Sequence, residues 1–141
     1  MRFPYHGAGI GLVKDGCLLL GKRSDTPFHG RWAVPGGSRD KTDPDELYTA
    51  KRELQEEMSV DFGSLDSRFI CSWTLSVPFF SWTTFFYEID SSDVDIRLAP
   101  DEFSEYEWVP LDQLTGKGKQ TKKDLRPFVR SEVRCLLENL K

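Results

Sequence analysis

The sequence predicts a mixed α/β fold in one domain, and three observations carry that prediction. Residues 44–58 read as a central helix with clear start signals. On either side, segments rich in aromatic, Val and Thr residues read as strands. Residues 124–140 then place apolar side chains at helical spacing, which reads as a terminal helix.

Residues 7–13 read as a first strand and 17–22 as a second, with Lys14-Asp15-Gly16 carrying the Asp-Gly hairpin signal between them. Gly7, Gly9 and Gly11 have no preceding strand and no following helix, so they are read as close-packing positions in a buried strand, not as a dinucleotide loop. A polar loop over residues 23–30 leads to a short strand, 31–34. Pro35-Gly36-Gly37 follows and reads as a sharp turn able to approach a ligand closely, or as a plain turn. Asp43 is the expected N-cap of the central helix, Pro44 its first residue and Glu46 its capping-box acid. Residues 68–75 and 79–89 are expected strands joined at Val77-Pro78, and residues 90–95 a polar loop. Residues 105–109 are a further strand, followed by a turn or short helix at 110–114 and a basic surface loop at 116–123. In the terminal helix, Leu125, Phe128, Val129, Val133, Leu136, Leu137 and Leu140 form a stripe read as core packing.

The central helix places Glu53, Glu56 and Glu57 at i, i+3 and i+4, within one narrow arc beside an apolar stripe of Leu47, Ala50, Leu54 and Met58. Like charges at that spacing repel by a few tenths of a kcal/mol per pair. A divalent cation would offset the repulsion; a solvated acidic face is the other reading. Glu46 shares the arc, but its capping position explains it separately.

Composition bounds the function. The chain has 141 residues, 38% hydrophobic and 13% aromatic, which suits a globular domain with its own core. A net charge of −4 without a long basic run makes a nucleic-acid polymer a poor partner. Cys17, Cys71 and Cys135 are odd in number and lack a CxxC, which suggests reduced thiols and a cytoplasmic setting. No apolar run is long enough for a membrane span.

Residues 37–60, GSRDKTDPDELYTAKRELQEEMSV, resemble the Nudix box of Nudix (MutT-like) hydrolases, G-x5-E-x7-R-E-U-x-E-E-x-G-U with U aliphatic. Arg52, Glu53, Leu54, Glu56, Glu57 and Val60 match in register, and both the Trp32-x-x-Pro35-Gly36-Gly37 approach and the later Glu105-Tyr106-Glu107-Trp108-Val109-Pro110-Leu111 segment are typical of the family. The chain departs from the pattern at two points. The early box glutamate falls on Pro44, with Asp43 one residue away as a stand-in, and the box Gly is Ser59, where Gly is favoured for its positive φ.

The resemblance implies an α/β/α sandwich over residues 1–141 that hydrolyses a nucleoside diphosphate linked to another moiety. It implies Mg2+, with Mn2+ as a substitute, held by Glu53, Glu56 and Glu57. Glu53 would contact the nucleophilic water, and Arg52 would orient a glutamate. Glu102, and after it Glu105, is the candidate for a further acid from the loop before the last strand. Arg23 is a candidate phosphate contact and Gly37 a point of close backbone approach. Phe80, with Phe28, Phe79 and Trp82, is a candidate for stacking a base or ribose. A nucleoside triphosphate is the first substrate expectation. ADP-ribose or a nucleotide sugar is the alternative, and a nucleotide-binding module without catalysis is a third reading. A calcium loop through Asp40, Asp43 and Asp45 fails, because its mid-loop Gly is missing and Lys51 stands at the closing acid.

Overall fold

In the computed structural model, which describes residues 3–26, 28–90 and 94–140, the glycines of the first strand set how the sheet assembles. That strand, β1 (Tyr5–Lys14), runs parallel to β6 (Phe80–Ile89) in a register that sets Gly7 beside Trp82, Gly9 beside Thr84 and Gly11 beside Phe86. A Cβ at Gly7 or Gly9 would lie 2.8 Å from the Trp82 ring, and one at Gly11 would lie 2.4 Å from that of Phe86. The missing side chains are therefore what let large aromatic rings lie across β1, as close packing in a buried strand requires.

The remaining strands are β2 (Cys17–Arg23), β3 (Trp32–Ala33), β4 (Gly36–Ser38), β5 (Ser67–Val77) and β7 (Phe103–Pro110). They form a seven-stranded mixed sheet in the order β3-β2-β1-β6-β5, with β4 paired to β1 and β7 to β2. Asp15 and Gly16, both at positive φ, make the β1–β2 turn, as Asp-Gly predicts. Beyond the turn the hairpin splays. β1 takes β4 as its neighbour, while β2 pairs with β7 and β3.

The two helices, α1 (Glu46–Met58) and α2 (Val129–Asn139), lie against opposite faces of the sheet. Ala8, Ile10 and Leu12 pack with Ala50, Leu54 and Met58 of α1 on one face. Trp82, Phe86 and Leu18 pack with Val129, Val133 and Leu136 of α2 on the other. Alternation along the strands feeds both cores, and the result is the expected α/β/α sandwich. Among the described residues, no helix is long and apolar enough to cross a membrane.

Three local expectations are corrected. The N-cap of α1 is Asp45, which accepts the Tyr48 N–H at 2.8 Å, so Pro44 precedes the helix and Glu46 is not a capping-box acid but pairs with Arg39 at 3.3 Å. Asp43, the expected cap, is buried and engaged by Arg52 instead. Secondly, Pro35-Gly36-Gly37 makes no sharp turn, because Gly36 and Gly37 are strand residues facing β1. Thirdly, α2 starts at Val129, since Pro127 disfavours helix at Arg126 and residues 124–126 instead run beside β3. There the Trp32 N–H donates to Asp124 O at 2.7 Å and the Arg126 N–H to Trp32 O at 2.9 Å. Of the expected loop at 90–95, residues 91–93 lie outside the described residues.

Candidate active site

α1 carries the acidic residues, and its ends fix how they are presented. The Asp45 cap starts the helix, and Ser59, in the left-handed region at φ 58°, stops it with its N–H on Gln55 O. The acidic face thus points towards β4. Glu57 is 2% exposed and accepts the Gly36 N–H at 2.7 Å. Glu53 lies against Gly37, where a Cβ would stand 2.5 Å from the Glu53 carboxyl carbon. Glycine at 37 is therefore a steric requirement of the carboxylate beside it.

Arg52 organises the other side of this face. Its Nε and Nη2 donate to the two carboxylate oxygens of Asp43 at 3.1 and 2.9 Å, and Nη2 also reaches Ser38 O at 3.0 Å. Nη1 donates to Glu53 Oε1 at 3.2 Å and to both oxygens of Glu56 at 3.0 Å. Asp43 additionally accepts from the Asp40 N–H and the Thr49 hydroxyl. So well satisfied, its carboxyl is held well below the usual carboxylate range, chiefly by Arg52. Glu56 is exposed and drawn onto Arg52, and neither of these two lines the cleft described next.

A cleft of about 1060 Å³ opens over this face. Its acidic wall comprises Glu53, Glu57 and Glu102, with Arg23, Gly36 and Gly37. Glu102 is half-buried in the loop before β7, and the Ser24 N–H donates to its carbonyl at 3.0 Å, which ties that loop to the end of β2 where Arg23 sits. Glu105 instead pairs with Lys22 at 3.5 Å and does not line the cleft. Burial pushes the Glu53 carboxyl up to about 7, with Glu56 and Glu102 adding to the rise and Arg52 opposing it. Burial likewise raises Glu57 well above its ordinary value, and Glu53 adds to that rise. Burial raises Glu102 as well, against Arg23.

The second wall is aromatic. Phe80 and Trp82 project from alternate positions of β6, Tyr5 from the start of β1 and Phe128 from the start of α2. Phe28 also lines the cleft, whereas Phe79 is 71% exposed in the turn before β6 and does not. Arg126 completes this wall beside a buried network that sequence reasoning missed. Arg126 pairs with Glu132 at 3.0 Å, and the two residues are 6% and 1% exposed. Arg126 Nε is buried without a hydrogen-bond partner, a state that costs about 1–3 kcal/mol in a folded protein. One signal did exist: Glu132 interrupts the apolar stripe of Val129, Val133 and Leu136 on the core face of α2.

The donor chemistry suits a hard divalent cation. Every candidate ligand is a carboxylate oxygen, and the like-charged, desolvated pair Glu53 and Glu57 gains from a cation nearby. Among the described residues, no group of three or more acids, His or Cys is already arranged to hold a metal ion. Mg2+ is commonly held by one or two carboxylates, its remaining positions taken by waters and substrate phosphates.

Comparison with known proteins places this architecture. The NUDIX domain model matches residues 6–131. An uncharacterized protein of Schizosaccharomyces pombe is 33% identical over 116 residues, covering 74% of this chain, which spans about a third (35%) of that protein's length. The RNA pyrophosphohydrolase of Rickettsia rickettsii is 25% identical over 98% of this chain and 95% of its own. Among solved structures, the MutT NUDIX hydrolase from Burkholderia pseudomallei superposes with a TM-score of 0.65 at 25% identity, covering 97% of this chain and 98% of that one.

Proposed function

We propose a function from the premise that this chain belongs to the NUDIX family of hydrolases, which act on pyrophosphate bonds and generally use divalent metal ions. Our reading is that residues 1–141 form one such domain, which hydrolyses a nucleoside triphosphate to the monophosphate and pyrophosphate with Mg2+ or Mn2+. The observation that carries it is the convergence in one cleft of Glu53, Glu57 and Glu102, with Arg23 beside them and a wall of aromatic rings adjoining.

Glu53 and Glu57 would hold the cation, and Glu56 would join them on release from Arg52. When bound, the cation supplies charge stabilisation at the phosphoryl oxygens and a lower pKa for the attacking water. The chain's own residues do the rest. Arg52 fixes the direction of Glu53, and the bare Cα of Gly37 leaves room for that carboxylate and for a phosphate. Arg23 receives phosphate charge, and Phe80 offers a ring face to the nucleoside. Water adds to phosphorus and its proton passes to a carboxylate, Glu53 first and Glu102 as the supporting acid. The anhydride P–O bond breaks, and pyrophosphate departs with the electron pair.

The test is a panel of nucleoside triphosphates, ADP-ribose, a nucleotide sugar and a 5′-triphosphorylated RNA, incubated with Mg2+ or Mn2+ and followed by chromatography. The last member enters because of the Rickettsia relative's name. From a nucleoside triphosphate the expected products are the monophosphate and pyrophosphate; from ADP-ribose or a nucleotide sugar, hydrolysis would release a nucleoside monophosphate and a sugar phosphate. Glu53→Gln should lower kcat by about 10²-fold or more, and Glu56→Gln should abolish turnover. Glu105→Gln, off the cleft, should leave turnover unchanged. No hydrolysis of any member would remove the enzymatic reading.

A further inference from the structure

The aromatic wall of the cleft takes no part in the bond cleavage above, and its polar groups run in one direction. The Trp82 indole N–H donates to the Thr84 hydroxyl at 2.7 Å, that hydroxyl donates to Glu132 Oε2, and Arg126 Nη2 donates to Glu132 Oε1 at 3.0 Å. Both oxygens of a carboxylate 1% exposed are thereby occupied. Arg126 lines the cleft with its guanidinium 4.6 Å from the Trp82 ring centroid and 5.8 Å from that of Phe128; its Nε is buried, which leaves the terminal N–H groups as the donors towards a ligand. Arginine donates and never accepts. With Glu132 cancelling its charge, it offers donors without a net positive field, which suits a neutral ring bearing acceptors better than a phosphate.

The shape of the wall agrees. Tyr5 stacks on Phe80 at 5.5 Å and 14°, and Phe128 lies 6.0 Å from Phe80, so flat faces border the guanidinium. The Tyr5 hydroxyl donates or accepts and does not change the balance.

We propose that Arg126, held in place by Glu132 and Thr84, selects the base of the substrate, taking an oxopurine over an aminopurine. An oxopurine presents two adjacent acceptors along one edge, whereas an aminopurine sets a donor beside an acceptor. Against this wall the amino group would meet further donors and lose its water. The assignment rests on reading the cleft as a nucleotide site, with the base on the aromatic wall and the phosphates at the carboxylates.

Two measurements test it. GTP should be hydrolysed with a kcat/KM about tenfold or more above that of ATP, and Arg126→Gln, which can both donate and accept, should bring the ratio near one, mainly by losing GTP. Because that substitution also leaves Glu132 unpaired, the second measurement uses the unaltered protein. Calorimetric titration with GMP and with AMP in Mg2+, where neither has an anhydride bond to cleave, should give about tenfold tighter binding of GMP. Equal affinities, tighter AMP, no binding of either, or a wild-type ratio in Arg126→Gln would overturn the assignment. GMP preference with no nucleotide hydrolysed keeps Arg126 as base reader and removes the enzymatic proposal. Equal hydrolysis of GTP and ATP does the reverse.

Discussion

Glu53 is a carboxyl group whose ionisation the fold opposes, and this makes the metal-free protein pH-sensitive. Its pKa stands at about 7 against an ordinary 4.5, mainly through burial, with the Glu56 and Glu102 carboxylates adding to it and Arg52 opposing. Glu57 is raised by burial and by Glu53, against the Gly36 N–H and Arg23. A group with a raised folded pKa contributes stability that is fully present below its unfolded pKa and is lost as pH rises through the folded one. Asp43 has the opposite sign, so its contribution is lost only as pH falls below the ordinary carboxylate range. In EDTA, stability should therefore decline between about pH 5 and 7.5, with Glu53 alone contributing on the order of 3 kcal/mol. Glu53→Gln should flatten much of the decline. Mg2+, which takes ionised carboxylates, should raise the melting temperature more at pH 7.5 than at pH 5. Thermal melts over that range, with and without Mg2+, make the measurement; a flat profile in EDTA would count against the ionisation assigned to Glu53.

At the scale of one element, α1 ends on a residue poorly suited to its conformation. Ser59 occupies the left-handed region at φ 58°, where an L side chain is disfavoured and glycine is not. Ser59→Gly should raise stability by about 0.5–1 kcal/mol, the relief of that strain less the extra backbone entropy of glycine. Urea denaturation should register it as a higher midpoint. Since Ser59 is exposed and outside the cleft, kcat should not change; a fall in stability would assign its side chain a contact of its own. The strain was legible, because the box position asks for glycine. The start of the same helix was not legible to one residue. Asp43 and Asp45 flank Pro44 and both suit a cap, and what decides between them is a tertiary event, the capture of Asp43 by Arg52 nine positions on. At α2 the signal was present but outweighed. Leu125 and Phe128 continue the apolar period, yet Pro127 disfavours helix at Arg126 and Phe128 sits at φ 83°, so the helix starts only at Val129.

At the scale of the molecule, the cleft joins parts of the chain that only the sheet brings together. Its acidic wall comes from residues close in sequence, Gly36 to Glu57, with Glu102 and Arg23 added by the pairing of β2 with β7. That wall was largely readable, because helical spacing is a local property. The aromatic wall needs the parallel pairing of β1 with β6 and the docking of residues 124–126 beside β3. No local period announces either event, so Tyr5, Thr84 and Arg126 went unread, and Glu132 showed only as a break in the apolar stripe of α2. The same arrangement predicts how the whole chain responds to ligand. A nucleotide spanning both walls contacts segments from Tyr5 to Phe128, and anything that binds only the folded state stabilises all of it. With Mg2+ and a non-hydrolysable nucleoside triphosphate analogue at about 100 times its Kd, unfolding should cost about 2.7 kcal/mol more. For a chain of this length that corresponds to a rise of roughly 5–10 °C in Tm. EDTA should remove most of the rise, because the phosphates then meet two desolvated carboxylates with no cation between them. Calorimetric scans with analogue and Mg2+, with analogue and EDTA, and with Mg2+ alone separate the terms. An equal rise in EDTA would mean that the nucleotide is held by the aromatic wall without engaging Glu53 and Glu57.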